Sequence, residues 1–562
     1  MLNLSFQESP LDWHRDPQTG RRALFEFGLG LDFLDPRLVG NIKYVWEKNR
    51  HHHLTLLALA WALTKQDRFA NEIQAQLRDW VKHNPFPLGI NWASSLELGI
   101  RLISWVWIER LLRGSAVHPS LFGSEGALWS AIYWHQWMVA KNHSHGSSAN
   151  NHIVGEMAGL FVAASVWPAF GDSKHWQELS RKMLEREIIK QTFPSGINRE
   201  LAFSYHIFSL EFFLLALAEA ERCAAPFSDA YRARLTRMLE IMPQLMDSGG
   251  NLPRFGDGDE GMAVQLQAPT ERCDGWLYRV GRALVGAKVP TLKGGALAAA
   301  ILGFDSVPKA EWMPERDSVG FEDAGIYVLT FDRATPREVF VLADAGPHGY
   351  LSTAAHAHAD ALSFTVSVGG EPILIDPGTF DYLMDEHWRS YFRSTRAHNT
   401  LVVDDLDQST QAGLFLWAQK ARTTVHSWKV TDSGAHLVAS HDGYAGVGVI
   451  HQRSLELHGD VVTVLDTLRG SGEHRVMLCF HTAPECRVER LAPTVLMISR
   501  DGVQVRLTVS GDLAVEIVRG GQNAGWYSSG YGLKQETFSI FAHMRGPVPA
   551  SFKTVLEIHH EN

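Results

Sequence analysis

The sequence predicts a multidomain α+β protein in which an all-helical half, residues 1–310, is followed by an antiparallel β-sandwich, residues 311–562. Three observations predict it. A chain of 562 residues is too long for one hydrophobic core, and its 45% apolar content is that of a globular protein with material for two. Apolar residues recur at helical spacing through the first half. Past the polar, Pro-containing stretch "DSVPKAEWMPERDS" (305–318) the period drops to two.

In the first half, "HHHLTLLALAWALTKQ" (51–66) and "SSLELGIRLISWVWIERLLRG" (94–114) read as helices. Ser94 and Glu97 are placed as a capping box in the second, with Gly114 as its stop. Further helices are expected near 122–141, 149–168, 174–191, 204–222 and 228–246. Short Gly, Pro or Asp turns between them favour antiparallel pairs stacked in sequence over a parallel α/β sheet. In the second half, Leu362, Phe364, Val366 and Val368 alternate with Ala361, Ser363, Thr365 and Ser367, and Gly369-Gly370 is a turn signal. "DAGIYVLTF", "EVFVLAD", "NTLVVDD" and "VVTVLDTL" repeat the pattern, and short strands with almost no helix between them point to a sandwich.

Charge and composition exclude some partners. Lys and Arg total 52 against 62 Asp and Glu, a net charge of −10, which argues against nucleic acid or an anionic membrane surface as a partner. An anionic substrate would need a local basic patch. The four cysteines, Cys223, Cys273, Cys479 and Cys486, show neither metal-ligand spacing nor a disulfide framework. No apolar run reads as membrane-spanning, and "MLNLSFQESPLDWHRDP" lacks the charged and apolar regions of a signal peptide, so a cytosolic protein or a missing leader is expected. The oligomeric state is left open.

Four polar clusters are candidates for chemistry. Asn150, Asn151 and His152 open a helical stretch; Tyr205 and His206 start another; "LPRFGDGDEG" (252–261) is a turn-rich loop carrying Arg254, Asp257 and Asp259. In "HAHADALSF", His356, His358 and Asp360 sit two apart and share one face if the segment is extended; Asp376 follows, and His398 closes a stretch containing Arg389, Arg393 and Arg396. Each has a plainer reading. The asparagines suit capping or turn chemistry, the Tyr-His pair suits an interface, and "GDGDEG" lacks the ligand spacing of an EF-hand. Two imidazoles with a later carboxylate suit a zinc-class site.

In combination, "NNHIVGE", "NRELAFSYH", "HAHADALSFTVSVGGEPILIDPGTFDY" and "RSTRAHNTLVVD" resemble the heparinase II/III-like polysaccharide lyases, over most of the chain and most strongly from about 340 to 405. The resemblance implies an N-terminal incomplete (α/α) toroid, a C-terminal antiparallel β-sandwich, and β-elimination of uronate polysaccharides in the cleft between them. It implies a periplasmic or secreted setting. It also implies Asn151 and His152 as the groups that neutralise the uronate carboxylate. Tyr205 would be the acid for the leaving O4, and also the base if elimination is syn, with His152 or His356 as the alternative base. A tyrosine acting as base near neutrality needs cationic neighbours; the Arg393 and Arg396 region and His206 are the candidates.

The implied metal is divalent, typically zinc and structural, with manganese or calcium as alternatives, held by His358, Asp376 and His398. His356 would then face the cleft. Asn150, Trp92, His206, Arg254, Tyr382, Arg393 and Arg396 are candidates for substrate contact, with Trp388 as a further stacking surface. The substrate class expected is an anionic uronate polysaccharide, a glycosaminoglycan (heparan sulfate, hyaluronan or chondroitin sulfate) or alginate. Three rivals remain: a glycoside hydrolase using Asp257 and Asp259, a non-catalytic carbohydrate-binding protein, and a cupin-like iron oxygenase built on His356, His358 and Asp376.

Overall fold

The structure of the protein, a computed structural model, describes residues 11–267, 274–292, 294–304 and 318–560. Cys273 and the expected boundary at 310/311 lie outside these residues. Two compact units are present. One comprises Met1–Thr192, Ile207–Leu239 and Glu260–Trp312; the other comprises Phe193–His206, Glu240–Asp259 and Met313–Asn562.

The first unit is helical. Its principal helices are His52–Thr64, Asp67–His83, Ser95–Leu111, Trp129–Asn142, Asn151–Val166, Ser173–Lys190 and most of Phe203–Cys223 and Asp229–Ile241. The helix Asp67–His83, which the sequence reading did not single out, buries Ala70, Ile73, Leu77 and Trp80, one stripe at three- and four-residue spacing. Ser95–Leu111 is buried on nearly every side. The capping box expected there does not form: Ser94 makes no side-chain cap, and Glu97 instead takes Arg50 in a two-pronged pair at 2.8 and 2.7 Å. A buried carboxylate gains more from a guanidinium than from one backbone N–H. Phe203–Cys223 corrects the reading of apolar runs, because it is long and apolar enough to cross a membrane. Its most apolar window is 89% buried, as in a core helix.

Two helices approach through glycine. A Cβ on Gly159 would lie 2.3 Å from the Gly99 carbonyl oxygen, and one on Gly99 would lie 2.8 Å from that of Gly155. Only the absence of side chains lets Asn151–Val166 and Ser95–Leu111 cross at this distance.

The second unit is built on antiparallel sheets. Strands β1 (Val319–Phe321), β2 (Ile326–Phe331), β3 (Val339–Asp344), β4 (Phe364–Val368) and β5 (Glu371–Leu374) form a meander in that order. The larger sheet is organised around the long strands Val461–His481 and Phe538–His560. Alternation assigns the faces of the meander. Tyr327, Leu329, Val339, Val341, Phe364 and Val366 pack into the core shared with the larger sheet. Ile326, Val328, Phe340 and Leu342 face the other way, onto Phe193, Ile197, Leu201, Phe203, Ile241 and Phe255. This second core explains why two segments from the helical part of the sequence group with the sheets. The His-x-His segment is not a strand: turns occupy it and β4 begins only at Phe364, so the shared-face argument for His356, His358 and Asp360 does not apply.

Candidate active site and metal centre

Tyr205 lies in the first turn of Phe203–Cys223. Its ring stacks on the His356 imidazole with centroids 3.7 Å apart and planes at 18°, and its hydroxyl is 2.9 Å from that of Tyr382. Burial, then Asp259, Asp257 and Glu200, push the Tyr205 phenol well above its ordinary value, against the Tyr382 hydrogen bond. Such a phenol is protonated at neutral pH and so has a proton to give. Arg389 lies 4.8 Å over the ring of Tyr382, where its charge acts against the burial that raises that phenol. Arg393 donates to the carbonyls of Gly413 and Leu414 at 2.8 and 3.0 Å, and His206 Nδ1 accepts the Asn198 N–H at 3.2 Å.

Asp257 is fully buried at the centre of this group. Arg389 grips it bidentately, Nη1 to Oδ1 at 2.5 Å and Nη2 to Oδ2 at 2.7 Å. His356 Nδ1 lies 3.2 Å from Oδ2 and His358 Nε2 lies 3.0 Å from Oδ1. Burial alone would raise the carboxyl, but the Arg389 charge and these hydrogen bonds hold it well below the usual carboxylate range. A group so occupied cannot shuttle a proton to a glycosidic oxygen, which removes the Asp257 half of the hydrolase pair.

Beyond His358 lies a second cluster. One ligand atom from each of His358, Asp360, Asp376 and His398 falls within 4.8 Å of the others, all buried. Of these, Asp360 is the ligand candidate absent from the predicted set; its place two residues after His358 in "HAHAD" was the available signal. His358 Nδ1 and His398 Nε2 are buried without a hydrogen-bond partner. Two orphaned imidazole nitrogens beside two carboxylates fit a divalent ion of the zinc class. His356 is not in this cluster, so the cupin-like set of His356, His358 and Asp376 is not the grouping observed.

The sandwich core registers these ligands. Asn399 Nδ2 donates to the carbonyls of Phe364 and Ile375, next to Asp376, and Asn399 Oδ1 accepts from His481 N–H. Arg453 Nη1 donates to Leu362 and Asn399 carbonyls at 2.7 Å each, while its other nitrogens hold the buried Asp466. Sequence reasoning missed Asn399, Arg453 and Asp466, because nothing local marks a core polar group as a clamp.

The remaining predicted residues are placed as follows. In the helical unit, Asn150 caps Asn151–Val166 by accepting the His152 N–H at 3.2 Å, Asn151 is buried and His152 is partly exposed. Trp92 is a correction: it is 1% exposed, donates to the Asn84 carbonyl and packs edge-on against His135, so its ring is core and has no face for a sugar. In the sheet unit, Arg254 donates to the Ser529 carbonyl and the Tyr527 hydroxyl. Arg393, also a correction, is buried with its guanidinium 4.4 Å over Trp417 and braces the backbone. Arg396 lies 5.5 Å over Phe541. Trp388 packs among Phe380, Phe392 and Trp526 with Lys534 4.1 Å from its ring centre.

Fold and site together define a chain that couples a helical unit to an antiparallel sandwich carrying a Tyr-His pair beside a His/Asp cluster. The chain belongs to the heparinase II/III-like family: "Heparinase II/III N-terminus" matches residues 2–273 and "Heparinase II/III-like, C-terminal" matches residues 313–556. It is 26% identical to the heparin-sulfate lyase of Pedobacter heparinus, over 64% of this chain and 52% of that protein. It is 20% identical to the heparin-sulfate lyase of Bacteroides stercoris, over 93% and 76%. The chain thus spans about half the length of the first of these relatives. A crystal structure of heparinase III superposes with a TM-score of 0.73 at 16% identity, covering 92% of this chain and 78% of that one. This likeness shows the shared fold, an N-terminal helical toroid with a C-terminal sandwich.

Proposed function

We propose that the protein is a polysaccharide lyase that cleaves an anionic, uronate-containing polysaccharide by β-elimination, with a heparan-sulfate-type glycosaminoglycan as the first substrate to test. The observation that carries this reading is the buried Tyr205 hydroxyl, kept protonated and stacked on His356. The names of the related lyases support the substrate class.

In this reading Asn151 and His152 hydrogen-bond the uronate carboxylate, which lowers the cost of removing the neighbouring C5 proton. His356 takes that proton, and Tyr205 gives its own to O4 as the C4–O4 bond breaks and the C4–C5 double bond forms. Tyr382 holds the Tyr205 hydroxyl in place. A divalent metal, with zinc the first candidate, would be held by His358, Asp360, Asp376 and His398; its contribution is to fix the segments carrying these residues. The setting proposed is periplasmic or secreted, where such polymers are met.

Incubation with a panel of uronate polysaccharides tests the reading. Lyase action creates ultraviolet absorbance from the new double bond. Reducing ends without that absorbance would mean hydrolysis, and binding without either product would mean a carbohydrate-binding protein.

A further inference from the structure

Asp257 faces both histidines of the "HAHAD" segment, and its surroundings leave it one chemical role. The loop that carries it is pressed against Leu201–Ser204, the lead-in to Tyr205. A Cβ on Gly256, whose φ is +65°, would meet the Leu201 carbonyl oxygen at 2.8 Å, and one on Gly258 would meet Ser204 Oγ at 2.9 Å. Backbone bonds pin the loop further: Asp257 N–H donates to the His356 carbonyl at 3.0 Å and Gly258 N–H to Thr379 Oγ1 at 2.8 Å.

Paired with the Arg389 fork, the Asp257 carboxylate is ionised and accepts only. Each ring nitrogen facing it therefore carries a hydrogen. For His358 that nitrogen is Nε2, which leaves Nδ1 bare; Nδ1 is one of the two orphaned nitrogens of the His/Asp cluster. For His356 it is Nδ1, which leaves Nε2 as the exchangeable position, 3.6 Å from Glu200 Oε2.

We infer that Asp257 is a positioning residue that sets opposite tautomers in two neighbouring histidines, His358 as the Nε2–H form that offers Nδ1 to a metal and His356 as the Nδ1–H form that offers Nε2 to the substrate's proton. The His356 half rests on the lyase reading; the His358 half does not. Glu200 would then stabilise the imidazolium that His356 becomes on taking the proton, before it is lost to solvent.

The decisive variant removes the ion pair as a unit, Asp257→Ala with Arg389→Met, so that no uncompensated charge is left buried. Asp257→Asn is made beside it. Three quantities are read on folded, zinc-supplied protein: zinc affinity by competition with a chromophoric chelator, kcat with KM on a uronate polysaccharide, and circular dichroism.

Zinc binding should weaken by roughly 10- to 100-fold, as expected for loss of a carboxylate behind a metal-bound histidine. With zinc saturating, kcat should fall by about 10²-fold or more and KM should change by less than about 3-fold. Unchanged affinity and kcat in folded variants would reduce Asp257 to a structural ion pair. Weakened zinc with kcat intact would overturn the shared role. Nitrogen-15 spectra of histidine-labelled wild type need no Asp257 variant: His356 and His358, assigned by difference from their Gln variants, should be opposite tautomers, and finding the same tautomer in both would overturn the inference. If the wild type produced no new absorbance from any uronate polymer, the lyase reading would fall, while the zinc and nitrogen-15 measurements would still decide what Asp257 does.

Discussion

A single hydroxyl separates two roles at Tyr205. Tyr205→Phe keeps the ring on His356 but removes the transferable proton and the link to Tyr382. Turnover should fall by about 10²-fold or more with melting temperature nearly unchanged, and an assay near wild-type rate in the purified variant would exclude Tyr205 as the acid. Glu156 makes a different kind of prediction. It is buried in Asn151–Val166, where Ser144 N–H and Oγ each donate to it at 2.7 Å. Burial nonetheless pushes its pKa up to about 7 from 4.5. The folded state thus holds a proton that the unfolded state has released, so this group's contribution to stability falls as pH rises from about 4.5 to about 7 and is level outside that window. The loss is on the order of 3 kcal/mol. Denaturant unfolding of wild type and Glu156→Gln across pH 4 to 8 should show the wild type losing ground to the variant inside that window; parallel curves would refute it. That Glu156 is ionisable is plain in the sequence, whereas its unusual protonation comes from a burial that only packing reveals.

At the scale of elements, the crossing of Ser95–Leu111 with Asn151–Val166 is set by what is missing. Gly159→Ala would place its methyl 2.3 Å from the Gly99 carbonyl oxygen and 2.4 Å from Gly99 Cα, both backbone atoms that cannot swing aside. The helices must separate, at a cost of about 3 kcal/mol, the upper end of ordinary overpacking. A fall in unfolding midpoint measures it, and a variant as stable as wild type would show that the crossing tolerates a methyl group. Helix identity was legible here from apolar spacing, as were β2, β3 and β4 from alternation. The capping box was not, because Ser94 and Glu97 satisfied a local pattern while Arg50, 47 residues away, offered Glu97 a stronger partner. The His-x-His segment misled for a related reason: period two implies a shared face only in an extended chain, and this stretch is held in turns.

For the molecule as a whole, the His/Asp cluster joins segments around residues 358–360, 376 and 398 within the second unit. A metal bound there stabilises the folded state in proportion to the logarithm of its concentration over Kd, about 4 kcal/mol at a thousandfold excess. His358→Ala should therefore lose metal and melting temperature together, and chelation of the wild type should lower its melting temperature toward that of the variant. His356→Ala should keep both and lose turnover instead. Elemental analysis with thermal unfolding checks this. Loss of metal from His356→Ala and its retention by His358→Ala would reverse the two roles.

What the sequence by itself determined was periodic or chemical in kind: a helical half, a strand-rich half, and the residue types able to handle protons or metal. Periodicity survives because burying one face of a helix or strand is a local requirement repeated every few residues. His358, Asp376 and His398 could be named from motif resemblance, yet Asp360 joined them only in three dimensions. Trp92 and Arg393 were plausible sugar contacts until packing enclosed them. Asp257 shows the division most clearly. In the sequence it is one acid in a glycine-rich turn; in the structure it meets His358 across 101 residues and Arg389 across 132. Which partner a buried charge finds is decided by the chain segments that reach it once water is excluded, and no local pattern records that.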